Sequence, residues 1–278
     1  MARQRAWAAA LAAGLLAWCS ASAFGQRVVA LIADRATLAP GESATLRLAT
    51  VGADGAREIA WGEAGVEWMF VRDSRSQRNH ASAPVEADGK TVRVSPARAG
   101  VTMVGVDLAR RVEVMGAGEF ERLVERTGKK PQELETGPGK APPRERDVRV
   151  ARVESACVLV RVGGSATDIA VSKSGLATEI RSLMDPTQLL LPSDMAVRVY
   201  ADGSGVPGAT VIATHTASGV ERRTTADDKG IAPVHLDRPG AWRLEFHHAA
   251  PARDDTADWV IYSCVLTFEA GVAAGGAR

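Results

Sequence analysis

The sequence predicts an all-β protein. Apolar residues recur with a period of two in short runs bounded by Gly, Pro and Asp, which is how half-buried antiparallel strands read. One opening and one closing turn-and-strand pattern appear twice along the chain. Helical spacing appears in one stretch, between the two occurrences. Together these predict two antiparallel β-sandwiches of Ig-like or prealbumin-like type, joined by a short helix and a Pro/Gly-rich connector.

The chain has 278 residues, and the first element, residues 1–23, reads as an export signal. "MARQR" supplies Arg3 and Arg5, "AWAAALAAGLLAW" is a short apolar run, and "ASA" offers small residues for cleavage. The run is shorter than the roughly 20 residues needed to span a bilayer. Trp18 is too large to precede a lipidated Cys19. The mature chain is therefore expected to be periplasmic or secreted, with no transmembrane segment after cleavage.

Residues 27–116 form the predicted N-terminal sandwich. "ATLRLATV" puts Leu46 and Leu48 on one face, and "KTVRVSP" does the same with Val92 and Val94. Residues 117–146 are the predicted helix and linker. "GEFERLVERTG" has Phe120, Leu123 and Val124 at helical spacing, Glu119 near the start and Gly128 as a stop. "KKPQELETGPGKAPPRERD" then reads as an exposed connector. Residues 147–190 are connecting strands, of which the long run "VRVARVESACVLVRV" could close the first sandwich or open the second.

Residues 191–270 form the predicted C-terminal sandwich, and 271–278 a flexible tail. "MAVRVYADG" aligns Val197 and Val199, while "PGAWRLEF" aligns Trp242, Leu244 and Phe246 toward the core. In the last strand Val260, Tyr262, Cys264, Leu266 and Phe268 are the inward set, leaving Trp259 near a surface or seam. The repetition is loose. "LAPGESATLRL" has the shape of "LLPSDMAVRV", and "VRVSPARAGVTMVGV" that of "VHLDRPGAWRLEF".

With 34 Lys and Arg against 33 Asp and Glu, the chain shows no electrostatic footprint for nucleic acid or acidic lipid. It contains no H-E-x-x-H, C-x-x-C or G-x-S-x-G, so a non-catalytic role is expected. Lys173, Ser174 and Gly175 read as a turn, because no S-x-x-K accompanies them; Gly163, Gly164 and Ser165 also read as a turn.

Two cysteines remain after cleavage, Cys157 and Cys264, each in an apolar β-run. An oxidising compartment makes them a disulfide candidate, with two separately buried thiols as the alternative. Five histidines are present, and His247 and His248 end the run "WRLEFHH". The following "AAPARDDTAD" adds Asp254, Asp255 and Asp258. One imidazole with these carboxylates across a hairpin tip would suit nickel, cobalt or zinc. A solvated tip accounts for the same residues without an ion. Asp227, Asp228 and Gly230 are what a tight turn requires, and His235 alternates outward from its strand.

Several landmarks carry a resemblance. They are "GLATEIRSLMDPTQL", "VRVYADGSGVPGATVIA", "TTADDKGIAPVHLDRPGAWRL" and "TADWVIYSCVLTFE", with "GEFERLVERTG" and "PPRERDVRVAR" fitting more loosely. Over roughly residues 119–270 the chain resembles a bacterial periplasmic domain-of-unknown-function family described as predicted nickel/cobalt transport components. That resemblance implies an exported binding or accessory protein that handles a divalent metal, nickel or cobalt, or its chelate for an uptake system. The implied partner is a membrane transport or envelope complex. Family members often begin the mature chain with a histidine near an apolar strand, whereas "FGQRVVALIADR" has none. The alternative is a structural or adhesion-type sandwich that binds a protein or glycan through its loops.

Overall fold

The computed structural model describes residues 28–52, 55–81, 83–129 and 147–271. The expected signal segment, the connector beyond residue 129 and the tail beyond residue 271 lie outside the described residues.

The described residues form three sheets. The first is small and antiparallel: β1 (Val28–Ala33), β4 (Gly55–Ile59) and β7 (Thr91–Val94) all pair with β3 (Ala44–Gly52). The second has ten strands, in the order β15 (Glu221–Thr225), β14 (Thr210–His215), β17 (Gly240–Pro251), β18 (Trp259–Ala270), β10 (Val148–Val162), β8 (Gly100–Leu108), β5 (Val66–Arg72) and β6 (Gln77–His80). Two further strands, β2 (Thr37–Leu38) and β9 (Arg111–Met115), also pair with β10. The third sheet joins β11 (Thr178–Ser182), β13 (Ser204–Gly205) and β16 (Ile231–Leu236) to β12 (Ser193–Ala201).

The two small sheets pack on opposite faces of the large one, so two sandwiches are present but share a sheet. Strand β10 makes the fusion. It pairs antiparallel with β8 through Leu159–Met103 and parallel with β18 from Val150–Trp259 to Val158–Thr267. Ala156, Val158, Val160 and Val162 enter the N-terminal core, while Cys157 and Leu159 enter the C-terminal core. A strand covered on both sides reads as an unbroken apolar run, which is what "ACVLV" is. This strand therefore closes the first sandwich and opens the second.

The N-terminal core sets Leu46, Leu48, Val92 and Val94 against Met69, Val104 and Val106. The C-terminal core sets Val197, Val199, Val234 and Leu236 against Trp242, Leu244, Phe246, Cys264, Leu266 and Phe268. Trp242 is fully buried, and its indole N–H donates to the Arg238 carbonyl at 3.0 Å, so burial leaves no unpaired donor. Val260 belongs to a separate small cluster with Ala151 and Ala257, against which Tyr262 packs.

Helix α2 (Ala117–Arg126) forms where its spacing predicts, burying Phe120, Leu123 and Val124. It lies on the large sheet against Ala249, Trp259 and Ile261. The Phe120 and Trp259 ring centroids are 5.5 Å apart, so Trp259 is buried in a core of its own rather than near a surface or an interdomain seam, because α2 covers that face of the sheet. Gly128 ends the helix at φ +79°, and a Cβ there would lie 2.0 Å from the Thr210 hydroxyl. Both the backbone and the close approach require glycine. A shorter helix, α1 (Trp61–Ala64), buries Trp61 beneath the N-terminal sandwich core. No helix among the described residues is long and apolar enough to cross a membrane.

Candidate functional site

The hairpin-tip metal site does not form. Strand β17 continues through both histidines to Pro251, paired residue for residue with β18 as far as Pro251–Trp259. His247 and His248 are therefore neighbours inside a strand and face opposite sides of the sheet. His247 is buried, with Nδ1 3.0 Å from the Ser263 hydroxyl and Nε2 3.7 Å from Glu245. His248 packs over Tyr262 on the other face, and its buried Nδ1 has no hydrogen-bond partner among the described residues. Burial pushes its pKa down to about 4.

The aspartates are engaged elsewhere. Asp254 accepts from the Thr256 backbone N–H at 2.9 Å and from Arg110 at 2.9 Å. Asp255 offers its carbonyl to Arg149 at 2.9 Å. Asp258 accepts from the Arg149 backbone N–H at 2.9 Å, with the Arg149 guanidinium 3.4 Å away. No group of three His, Cys, Asp or Glu converges among the described residues. The residues proposed from sequence do not fit nickel or cobalt.

The cysteines correct a second expectation. Cys157 and Cys264 lie on adjacent strands and enter the same core, but Cys264 is level with Ser155 and Cys157 with Leu266. A two-residue offset at about 3.3 Å per residue, between strands about 4.8 Å apart, separates the Cα atoms by about 8 Å. A disulfide spans less. Both are free, buried thiols, and burial raises both pKa values.

A different feature gathers polar groups. On the face of the large sheet opposite the C-terminal core, three rows run across β14, β17 and β18: Thr214–Arg243–Thr267, Ile212–Glu245–Val265 and Thr210–His247–Ser263. The small N-terminal sheet leans onto this face. Val28, Ala30 and Val51 pack against Val265, and the Thr267 hydroxyl donates to the Leu31 carbonyl at 2.5 Å. Beside that contact a cleft of about 560 Å³ remains open. Ala30, Ile32, Val51 and Ala56 line one wall; Thr214, Thr216, Ala241 and Arg243 line the other, and Glu221 of β15 also borders it.

The charges in the cleft wall are internally balanced. Arg243 donates from Nε to Glu245 at 2.5 Å, and Arg223 donates to Glu221 at 2.9 Å. Burial alone would raise the Glu245 carboxyl, but the His247 ring 3.7 Å away and the Arg243 charge hold it below its ordinary value. Thr214 is 8% exposed, and its hydroxyl has no partner among the described residues. Buried hydroxyls are mostly paired, so this one marks the wall as incomplete. A volume of this size falls within the range of small-molecule sites, roughly 300–1,000 Å³.

The model for a domain of unknown function, DUF4198, matches residues 74–250. The chain belongs to that family. The matched span holds most of the polar cleft wall, including Thr214, Glu221 and Arg243. No curated protein matches the chain. Among solved structures, murine CEACAM1b is similar over 87% of this chain and 98% of its own, with 8% identity and a TM-score of 0.20. Salmonella alpha-2-macroglobulin reacted with methylamine is similar over 88% of this chain and 15% of its own, at 12% identity and a TM-score of 0.23. A tetra-tandem repeat from the extending region of a large adhesion protein covers 87% of this chain and 49% of its own, at 15% identity and a TM-score of 0.20.

Sequence reasoning missed Arg243, Glu245 and Thr214. Their alternation within "WRLEF" and "TVIATH" marks a sheet face, and polar residues on a sheet face ordinarily meet solvent. The available signal was the run of Arg243, Glu245 and His247 at successive outward positions of one strand.

Proposed function

We propose that the protein is an exported, non-catalytic binding module whose ligand is a small molecule held in the cleft between the two sandwiches. The observation that carries this reading is the cleft itself, about 560 Å³ with an apolar wall from the small sheet and a polar wall from β14 and β17. Pockets of this volume with a few placed polar groups are the usual form of a small-molecule site. The signal-like residues 1–23 support export, and the non-catalytic part of the reading rests on a sequence without H-E-x-x-H, C-x-x-C or G-x-S-x-G. A membrane transport or envelope complex is the partner such a module would serve. The reading replaces a metal-ion cargo with an organic one, because the histidines and aspartates are held apart.

The test is fluorescence titration of the mature protein with N-phenyl-1-naphthylamine, an uncharged apolar probe that brightens on leaving water. Saturable binding is expected, and an Ala56→Trp variant that fills the cleft should lose it while keeping its melting temperature. No brightening, or equal binding by a folded Ala56→Trp protein, would overturn the reading.

A further inference from the structure

We infer that the cleft selects an uncharged, mostly apolar molecule bearing a carbonyl-type oxygen, received by the Arg243 guanidinium and the Thr214 hydroxyl. The inference rests on the cleft being the binding site and deepens it by naming the ligand's chemistry.

The polar wall offers hydrogen-bond donors without offering net charge. A guanidinium carries five N–H donors. The Nε of Arg243 is taken by Glu245, and no hydrogen bond to its two terminal nitrogens occurs among the described residues. Its positive charge is already matched by the Glu245 carboxylate, which His247 also faces at 3.7 Å. Glu221, the acidic group bordering the cleft, is matched by Arg223. An anion entering here would give up its hydration and find a cation already neutralised, with Glu221 nearby. A cation would find both carboxylates occupied by arginines.

An uncharged acceptor meets neither penalty. A carbonyl oxygen can take the free guanidinium N–H groups without disturbing the Arg243–Glu245 pair. Thr214 stands in the same row as Arg243, one strand away. As it stands that unpartnered hydroxyl is shielded from the cleft, and rotation about the Cα–Cβ bond, which exchanges hydroxyl and methyl between staggered positions, is what turns it toward the ligand. The facing residues Ala30, Ile32, Val51 and Ala56 carry no polar side-chain atoms and suit the hydrocarbon part of the ligand.

The experiment is displacement of N-phenyl-1-naphthylamine from the mature protein by four naphthalenes of matched size. They are 2-acetylnaphthalene (ketone), 2-ethylnaphthalene (hydrocarbon), 2-naphthoate (anion) and 2-(2-naphthyl)ethylamine (cation). The ketone should displace the probe at about tenfold lower concentration than each of the others, as one added hydrogen bond to a charged donor allows. The preference should disappear in Arg243→Met/Glu245→Gln, which removes both charges together, once each competitor is compared with the probe's own affinity for that variant. It should shrink about threefold in Thr214→Val, which keeps the side-chain shape. If the probe binds in the cleft but naphthoate or the amine competes best, or ketone and hydrocarbon compete equally, the ligand class is wrong while the cleft stands. If the probe does not bind, or Ala56→Trp binds it unchanged, both readings fall.

Discussion

Strands β10 and β17 are both sandwiched in the large sheet, yet they meet burial in opposite ways. The middle of β10 presents apolar side chains to both sides, Ala156, Val158 and Val160 to one core and Cys157 and Leu159 to the other. The middle of β17 is apolar on one face only, through Trp242, Leu244 and Phe246. Its other face carries Arg243, Glu245 and His247, of which Glu245 and His247 are buried. Charges withdrawn from water stabilise little or nothing unless paired, and an apolar replacement usually serves a core as well. Strand β10 shows what this sheet does when only packing is at stake. The departure on β17 falls where the small N-terminal sheet and the large sheet leave a cleft, and that coincidence points to recognition rather than to stability.

The largest expected effect belongs to the apolar face. Trp242→Ala should cost about 3–5 kcal/mol, read from urea midpoints at constant slope. A near-parental midpoint would dissolve the contrast, because β17 would then have no packed face. Next comes the polar face. Glu245→Leu leaves Arg243 partly buried without its partner and should cost about 2–4 kcal/mol. The double variant Arg243→Leu/Glu245→Leu should return to within about 1 kcal/mol of the parent, whereas additive losses would mean that the pair itself holds the fold.

His248 marks where the apolar face of β17 runs out. Burial holds its folded pKa at about 4, below the ordinary value of about 6.5. The unfolded chain therefore binds the proton more readily, and stability falls as pH drops from about 6.5 to about 4. The loss should reach about 2–3 kcal/mol across that window. His248→Phe should flatten that limb of the pH–stability curve; an unchanged curve would place the histidine in water. The smallest effect is at Thr214. Replacing an unpaired buried hydroxyl by a methyl should leave stability unchanged or raise it by up to about 1 kcal/mol, so Thr214→Val melting below the parent would reveal a partner for that hydroxyl.

Much of the architecture was legible because the period of two is local. Leu46, Leu48, Val92, Val94, Val197 and Val199 are buried as their alternation requires, and the helical spacing of Phe120, Leu123 and Val124 found α2. The Asp227 turn is also as read: its carboxylate accepts from the backbone N–H groups of Lys229 and Ile231, at 2.9 and 2.8 Å. The role of β10 was open because an apolar run does not say which two layers cover it. The histidines were misplaced for a related reason. "FHHAAP" looks like a strand end because its alternation lapses, but the strand persists through pairing with β18 and cover from α2. The cleft depends on contacts such as Thr267 to Leu31, 236 residues apart, which no local window contains.

Amide hydrogen exchange with and without saturating N-phenyl-1-naphthylamine tests the central claim most directly, because it locates the occupant without altering a residue. Exchange should slow in two separate stretches, β3–β4 of the small sheet and β14 with the first half of β17, and stay unchanged in the 251–258 loop. Protection confined to that loop, with β4 and β17 unaffected, would contradict the account.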